Sequence, residues 1–397
     1  VRVIRIVSEL DFGGVEKVLA NSLPTLHIQK GLELKLIVLG QGGKVADELA
    51  AEGIAIQILG FNPRIPNLKL VKKLHQIISV CRPDVVHTQG GEANFHGIWA
   101  AKLAGVPMII GEEIGIPNHH SFWKWIFRWV YQKADSVIAI SEAVKKHIVA
   151  LEEVKEKKVK VVYNPVGSGQ WAVHSGQFSV NRKQFELAVP NGMNHSEEDI
   201  TNGYGKKKKE TFVFVTTCRL VPIKNLDRLI NAFVGLSKEN PDRELFLKIV
   251  GDGPDRKKLE YRAREQGIGN WIAFEGFQEN VWPFLQVADA FILPSLSEGS
   301  SVSLAEAMIA GLPSIVTHVG GAIEILGDSQ SGFLINPLDT DSIKSAMQQM
   351  IDLNAQEHLA MSERAMEEAK RFSVNKYIES LMAIYTFSDF ILKPSDF

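Results

Sequence analysis

Cysteine is nearly absent from this chain: two occur in 397 residues, Cys81 and Cys218. They lie far apart and in no metal-ligand or redox spacing. A disulfide framework, a cysteine-based zinc site and a CxxC redox centre therefore drop out, and both thiols read as reduced and structural in a cytosolic protein. No apolar run approaches the roughly 18–20 residues that span a bilayer. No signal peptide is visible either. Val1–Val7 reads as a strand, with Arg2 and Arg5 interrupting any leader core, although a chain that starts without Met leaves a lost leader open. The fingerprint G-x-G-x-x-G is missing after that strand, which removes the main support for a dinucleotide-dependent oxidoreductase. No Asp/His cluster calls for a metal ion. The lysine run Lys206–Lys209 has no interleaved aromatics, so it reads as a solvated charge run and not as a nucleic-acid patch.

What is present is ordinary for a globular protein: 45% hydrophobic and 23% charged residues, with a net charge of −2. The length sets two domains as the expectation. Charge is uneven. Residues 1–166 hold 21 Lys and Arg against 16 Asp and Glu, and the remainder holds 23 against 30. A basic first half suits an anionic membrane or acceptor, or is a chance imbalance. Strand-like and helix-like stretches alternate through both halves, with polar residues at the strand ends, and this pattern predicts two doubly wound parallel-sheet α/β domains. Residues 167–210 lose apolar periodicity and read as a connection between residues 1–166 and 211–374.

One stretch carries most of the chemistry. A strand-like run, Ala290–Leu293, leads through Pro294 into Ser295-Leu296-Ser297-Glu298-Gly299-Ser300-Ser301-Val302-Ser303-Leu304-Ala305-Glu306. A helix leaves it, with Leu304, Met308 and Ile309 at helical spacing and Gly311 as its stop. Ser301 or Ser303 suits the N-cap. Such a helix start offers unpaired amides and the positive end of a dipole, which suits a phosphate. Glu298 and Glu306 are poor phosphate ligands but good acceptors for sugar hydroxyls. Together these features suggest a nucleotide sugar. Arg219 and Lys224, five residues apart across a Pro turn after the strand Thr211–Thr216, can clamp one diphosphate; a surface basic pair is the plainer alternative.

The setting S-x-x-E-G-x-x-x-x-x-A-E-A-M-x-x-G-x-P, with seven residues between the two Glu, resembles the signature of retaining glycosyltransferase family 4, which has the GT-B fold. C-R-L-V-P-I-K-N at 218–225, G-D-G-P at 251–254, D-x-V-I-A-I-S at 135–141 and V-x-x-V-Y-N-P ending at Pro165 add to the resemblance. It covers nearly the whole chain except roughly 167–210. It implies two Rossmann-like domains facing across a cleft, with a final helix at about 375–390 crossing back to the first. It gives Arg219 and Lys224 the diphosphate, with the amides of Gly299, Ser300, Ser301, Val302, Ser303 and Leu304 beside them. Glu306 takes the ribose and Glu298 the transferred sugar. Gly251 and Gly253 allow the nucleotide to approach, and backbone groups at Phe277 and Gln278 read the base. Gly13 and Gly14, a Gly-Gly turn between the first strand and helix, approach the diphosphate and acceptor.

The acceptor side is less defined. His87 ends a short buried strand, where ligands of doubly wound sheets gather, but a structural His fits equally. Glu112 and Glu113 follow the strand 107–110. Many family members carry His where Glu113 stands, so Glu113 is an acceptor-side candidate or a solvated loop carboxylate. Ser121–Tyr131 holds three of the seven Trp. On a helix Phe122, Trp125 and Trp129 share one face and Lys124 and Arg128 another, which fits a membrane interface or a core helix. The resemblance implies metal-independent transfer of a hexose with retention from a nucleoside-diphosphate sugar, UDP favoured and GDP open, to a glycan or lipid-linked acceptor. No cofactor is implied, and peripheral membrane contact at the cytoplasmic face fits. The alternatives are a nucleotide-sugar epimerase of the same architecture and a noncatalytic sugar-nucleotide-binding subunit.

Overall fold

The computed structural model describes residues 1–11, 14–167, 211–328 and 330–386. The chain divides into two compact units, Val1–Ala172 with Arg371–Phe397, and Val173–Lys370.

The first unit alternates strand and helix. It begins β1 (Arg2–Val7), α1 (Gly14–His27), β2 (Glu33–Val38), α2 (Lys44–Ala51), β3 (Ala55–Ile58) and α3 (Leu68–Cys81). It continues β4 (Val85–Gln89), α4 (Gly91–Leu103), β5 (Met108–Glu113), α5 (Ser121–Tyr131), β6 (Ser136–Ala139), α6 (Glu142–Ala150) and β7 (Val159–Val161). The seven strands are parallel in the order β3-β2-β1-β4-β5-β6-β7. The central strands are apolar runs such as Val3, Ile4, Ile6 and Val7, because helices cover both faces of such a sheet. Each buried Leu, Ile or Phe contributes about 1.5–3 kcal/mol relative to exposure.

The second unit follows the same rule. Its first half is β8 (Thr211–Thr217), α7 (Leu226–Glu239), β9 (Glu244–Val250), α8 (Arg256–Glu265), β10 (Ile272–Gly276), α9 (Trp282–Gln286) and β11 (Ala290–Leu293). Its second half is α10 (Val302–Ile309), β12 (Ser314–Thr317), α11 (Ala322–Leu326), β13 (Gly332–Ile335), α12 (Thr340–Asp352) and α13 (Ala355–Ala369). Six parallel strands run in the order β10-β9-β8-β11-β12-β13. Phe214, Leu229, Phe233, Leu247 and Met347 are among its fully buried side chains. A last helix, α14 (Val374–Thr386), packs on α1 of the first unit, and Val166 bridges Ser373 beside it.

Helix starts follow the local chemistry. Asn67, Ser141 and Ser301 each accept a backbone N–H at the heads of α3, α6 and α10. Asn354 and Glu357 form a reciprocal capping box on α13. One boundary differs from expectation. β5 does not stop at residue 110 but continues through Gly111, Glu112 and Glu113, which pair with β4 and β6. Glu112 and Glu113 are therefore strand residues on opposite faces of the sheet, both buried. A solvated loop carboxylate at 113 is overturned.

Candidate functional site

In each sheet the strand order reverses once: between β1 and β4 in the first unit, and between β8 and β11 in the second. Loops leaving neighbouring strands at such a point diverge and open a crevice, where ligands of these folds bind. In the second unit the two loops are 218–225 and 294–301; these hold Arg219, Lys224 and Glu298, and Glu306 lies on α10, which follows the second loop.

The structure ties these loops together. Leu296 N donates to Ile223 O at 2.8 Å. Asn225 is buried with φ 59°, and its amide donates to Pro294 O at 3.0 Å and Pro337 O at 2.7 Å. The left-handed backbone there ends the 3-10 turn Pro222–Lys224 and starts α7. Lys224 is thereby delivered to Glu298, with Nζ 2.6 Å from Oε1. The Glu298 side chain is almost fully buried and that of Lys224 about one-fifth exposed, so the pair faces outward through the lysine. Arg219 is exposed on the same loop.

Glu298 is held from behind. Gly321 N donates to its carbonyl at 2.8 Å, and a Cβ at Gly320 would lie 2.0 Å from that oxygen. Gly320 also has φ +68°, so no other residue fits without moving the Glu298 backbone. Past Gly299 and Ser300, the Ser301 hydroxyl caps α10 by accepting from Leu304 N at 3.2 Å and lies 3.1 Å from the Ser303 hydroxyl. Capping by Ser301 resolves the choice between the two serines. Val302 opens the helix. Glu306, one turn further, is buried.

The remaining donor-side candidates sit at the carboxyl ends of β9 and β10. Gly251 has φ +138°, and a Cβ there would stand 1.9 Å from the Cys218 carbonyl oxygen; at Gly253 it would stand 2.3 Å from Leu220 O. Close backbone packing, and not only a ligand's approach, requires these glycines. Gly251 N donates to Gly276 O at 2.8 Å, which brings the next residue, Phe277, to the same edge with 64% of its surface exposed. Gln278 is turned back, its amide donating to Glu275 O at 2.9 Å. The Cys218 thiol belongs to this group as well. Burial pushes its pKa up to about 11, with Lys224 opposing and Glu298 adding to the shift. A cavity of about 690 Å³ lined by Thr211, Phe212, Arg243 and His358 lies at the opposite, amino edge of the sheet, and none of the motif residues line it.

The other candidates belong to the first unit. Gly14 opens α1 with open space where a Cβ would stand, and Gly13 lies outside the described residues. His87 and Glu113 are both buried, facing opposite sides of the sheet. His87 Nδ1 lies 2.7 Å from the Tyr385 hydroxyl of α14, and its Nε2 lies 2.9 Å from Glu112 Oε2 without hydrogen-bond alignment. Burial, aided by the nearby Arg5, pushes its pKa down to about 4. Arg5 is fully buried and donates to Gln89 Oε1 at 2.9 Å and Glu112 Oε2 at 3.3 Å. Tyr377 of α14 lies against the same guanidinium. On the opposite face Glu113 accepts from the Tyr131 hydroxyl, which is also 3.1 Å from the Asn94 amide. Burial pushes the Glu113 carboxyl up to about 7 against these hydrogen bonds. Sequence reading had no role for Arg5, Gln89, Tyr131, Tyr377 or Tyr385. The available signal was Arg5 itself, a charge at an inward position of an apolar strand.

Among the described residues no group of three or more His, Cys, Asp or Glu is placed to hold a metal ion, and no helix is long and apolar enough to cross a membrane.

Comparison with known proteins defines the class. Residues 12–168 match the model for Glycosyltransferase Family 4, and residues 197–371 match that for Glycosyl transferases group 1. A similar curated protein is UDP-Gal:alpha-D-GlcNAc-diphosphoundecaprenol alpha-1,3-galactosyltransferase of Escherichia coli, 25% identical over 300 residues covering 72% of each chain. HepE of Anabaena, solved in complex with UDP, superposes with a TM-score of 0.79 at 20% identity, covering 98% of this chain and 100% of the other. A glycosyltransferase from Rickettsia africae gives a TM-score of 0.80 at 19% identity and 99% coverage of each chain. The fold is GT-B. The chain belongs to the family 4 glycosyltransferases and is a glycosyltransferase.

Proposed function

We propose that this glycosyltransferase moves a hexosyl group, with retention, from a nucleoside-diphosphate sugar to a hydroxyl of a glycan or lipid-linked acceptor. The observation that carries the reading is the Lys224–Glu298 pair beside the capped start of α10, at the reversal point of the second sheet. UDP is favoured as the nucleotide, because the similar Escherichia coli enzyme is named for UDP-Gal and HepE was solved with UDP. The former's diphosphoundecaprenol acceptor supports a lipid-linked acceptor, hence peripheral contact with the cytoplasmic face of a membrane.

On donor binding the Lys224 amine exchanges the Glu298 carboxylate for diphosphate oxygens. Glu298 is then free to accept from hydroxyls of the transferred sugar, and Glu306 from those of the ribose. Gly251 and Gly253 let the nucleotide approach, and Phe277 stands where the base is read. The bond from the anomeric carbon to the phosphate oxygen breaks, with its electron pair going to the diphosphate. Arg219, Lys224 and the amides of the first turn of α10 hold that charge, so no metal ion is required. The acceptor oxygen bonds the anomeric carbon on the same face and passes its proton to the departing phosphate. Gly13 and Gly14 are assigned to the approach of the diphosphate and the acceptor, and His87 and Glu113 to the acceptor side. Glu113, held near neutrality, tunes that side from behind the strand end.

The experiment is a hydrolysis screen of UDP-, GDP- and ADP-sugars with EDTA and no acceptor, following free nucleoside diphosphate. Release from a UDP-sugar is expected. An isomerised nucleotide sugar would establish the epimerase instead, and absence of both release and donor binding would sink the site. Glu113→Gln should lower transfer more than donor binding; equal losses would remove it from the acceptor side.

A further inference from the structure

The outward face of α5 is built against the usual rule for a surface. Phe122, Trp125 and Trp129 lie within one 60° sector of the helix at 100° per residue, and they are 59%, 65% and 40% exposed. The helix needs none of them for its core, which it makes with Phe127, Val130 and Tyr131. Leu103, at the end of the neighbouring α4, is 60% exposed. Trp99 of α4 packs on Trp129 with ring centroids 4.0 Å apart, so the aromatic surface extends across both helices. A contiguous apolar patch of this kind marks an interaction surface.

Basic side chains outnumber carboxylates around it. Lys133 sits over both indoles, its Nζ 3.8 Å from the Trp129 ring centroid and 4.6 Å from that of Trp99. Lys158 donates to Gln132 O at 3.2 Å and Ala134 O at 2.6 Å, just past the end of α5. Lys102, Lys155 and Lys157 are near enough that, after burial, they lower its pKa further, with Asp135 opposing. Lys124 and Arg128 flank the aromatic stripe on the helix itself. The nearby carboxylates are already engaged. Glu152 pairs with Arg128 at 3.4 Å, Glu156 lies 3.9 Å from Lys145, and Asp135 accepts from Ile109 N at 2.8 Å. None of Lys102, Lys124, Lys133, Lys155 or Lys157 pairs with a carboxylate among the described residues.

We propose that this face, α5 with the lysines around its carboxyl end, docks the protein on an anionic lipid bilayer. Indole rings have an apolar body and one N–H donor, which suits the depth of lipid headgroups, and the surrounding amines match anionic phosphates. A surface that is anionic throughout matches these amines more closely than a protein surface of mixed charge. The inference deepens the lipid-linked acceptor reading, yet its test needs neither donor nor acceptor.

The test is co-flotation of the full chain with vesicles of phosphatidylcholine alone or mixed with phosphatidylglycerol. Binding to the mixed vesicles, weakened by NaCl, is expected, with a blue shift of Trp emission and quenching by brominated acyl chains. Phe122→Ser with Trp125→Ser should reduce binding at least tenfold. Lys155→Gln with Lys157→Gln should reduce it roughly fivefold for each lysine removed. Donor hydrolysis without vesicles should be unchanged in both, which keeps this result separable from the activity assay. Failure to bind mixed vesicles, binding unaffected by either pair, or a self-associated form that Phe122→Ser with Trp125→Ser dissolves in place of vesicle binding would each overturn the proposal.

Discussion

The carboxyl ends of the two sheets have the same topology and opposite finishes. In the second unit the strands end in loops fastened mainly by backbone contacts: Leu296 N to Ile223 O, Gly321 N to Glu298 O, Gly251 N to Gly276 O. Side chains are thereby left for chemistry, and Lys224 meets Glu298 at the surface. In the first unit the polar groups at the ends of β4 and β5 turn inward. Arg5, His87, Gln89 and Glu112 are closed over by tyrosines of α14, and Glu113 is closed over by Tyr131 of α5. One end uses glycine and main-chain bonds to leave Arg219 and Lys224 in reach of solvent, and the other uses tyrosine to bury its charges. Polar residues at a strand end are therefore not by themselves a binding site.

Substitution separates the two ends. Arg219→Ala should lower donor kcat/KM by about 10²–10³, the scale for removing one preorganised stabiliser of developing charge, and Glu306→Ala by about 10–100-fold through lost hydrogen bonds to the ribose, both with little change in Tm. Tyr385→Phe, at the buried end, should do the reverse: a loss of about 1 kcal/mol in stability with donor kinetics nearly intact. Wild-type turnover in both donor-side variants would refute the contrast. Asn225 tests how the exposed end is held. Asn225→Ala leaves two carbonyls without their donor and strains a left-handed residue, for about 2–4 kcal/mol in denaturant unfolding. Asn225→Gly should recover the backbone part of that loss but not the donor KM. Recovery of both would show that only the backbone conformation matters there.

The same contrast explains what could be read from sequence. The start of α10 was legible because its cause is local: a hydroxyl stands directly before an apolar helical run. The parallel sheets were legible from alternating apolar segments. The pairing of Lys224 with Glu298 was not in any spacing, since they stand 74 positions apart; the resemblance gave each a role at the donor but not this contact. Gly320 and Gly321 take no role from the sequence, because what requires them is the backbone of Glu298 two loops away. Least legible was the buried end. Arg5 read only as a break in a leader core, and its partners lie up to about 380 residues further on, in a helix whose sequence shows only amphipathic spacing. Gly111 suggested that β5 had ended, which hid the alternation placing Glu112 and Glu113 on opposite faces.

Those two faces predict opposing pH dependences. The Glu113 carboxyl is raised from 4.5 to about 7. As pH rises from 4.5 toward 7, the unfolded chain loses a proton that the folded chain keeps, so stability falls with pH. His87 is lowered from 6.5 to about 4. As pH falls from 6.5 toward 4, the unfolded chain gains a proton that the folded chain refuses, so stability falls with acid. Between 4.5 and 6.5 the two slopes oppose each other, each up to about 1.4 kcal/mol per pH unit. Denaturant midpoints of the wild-type chain should therefore carry little net slope from this pair. Glu113→Gln should leave the His87 slope exposed, with stability rising with pH across the window, and His87→Gln should leave the falling slope of Glu113. The sign of the change is the readout, because either substitution also shifts stability by a constant that is the same at every pH. Slopes of one sign in both variants would show that His87 and Glu113, on opposite faces of the sheet, do not titrate as two separately buried groups.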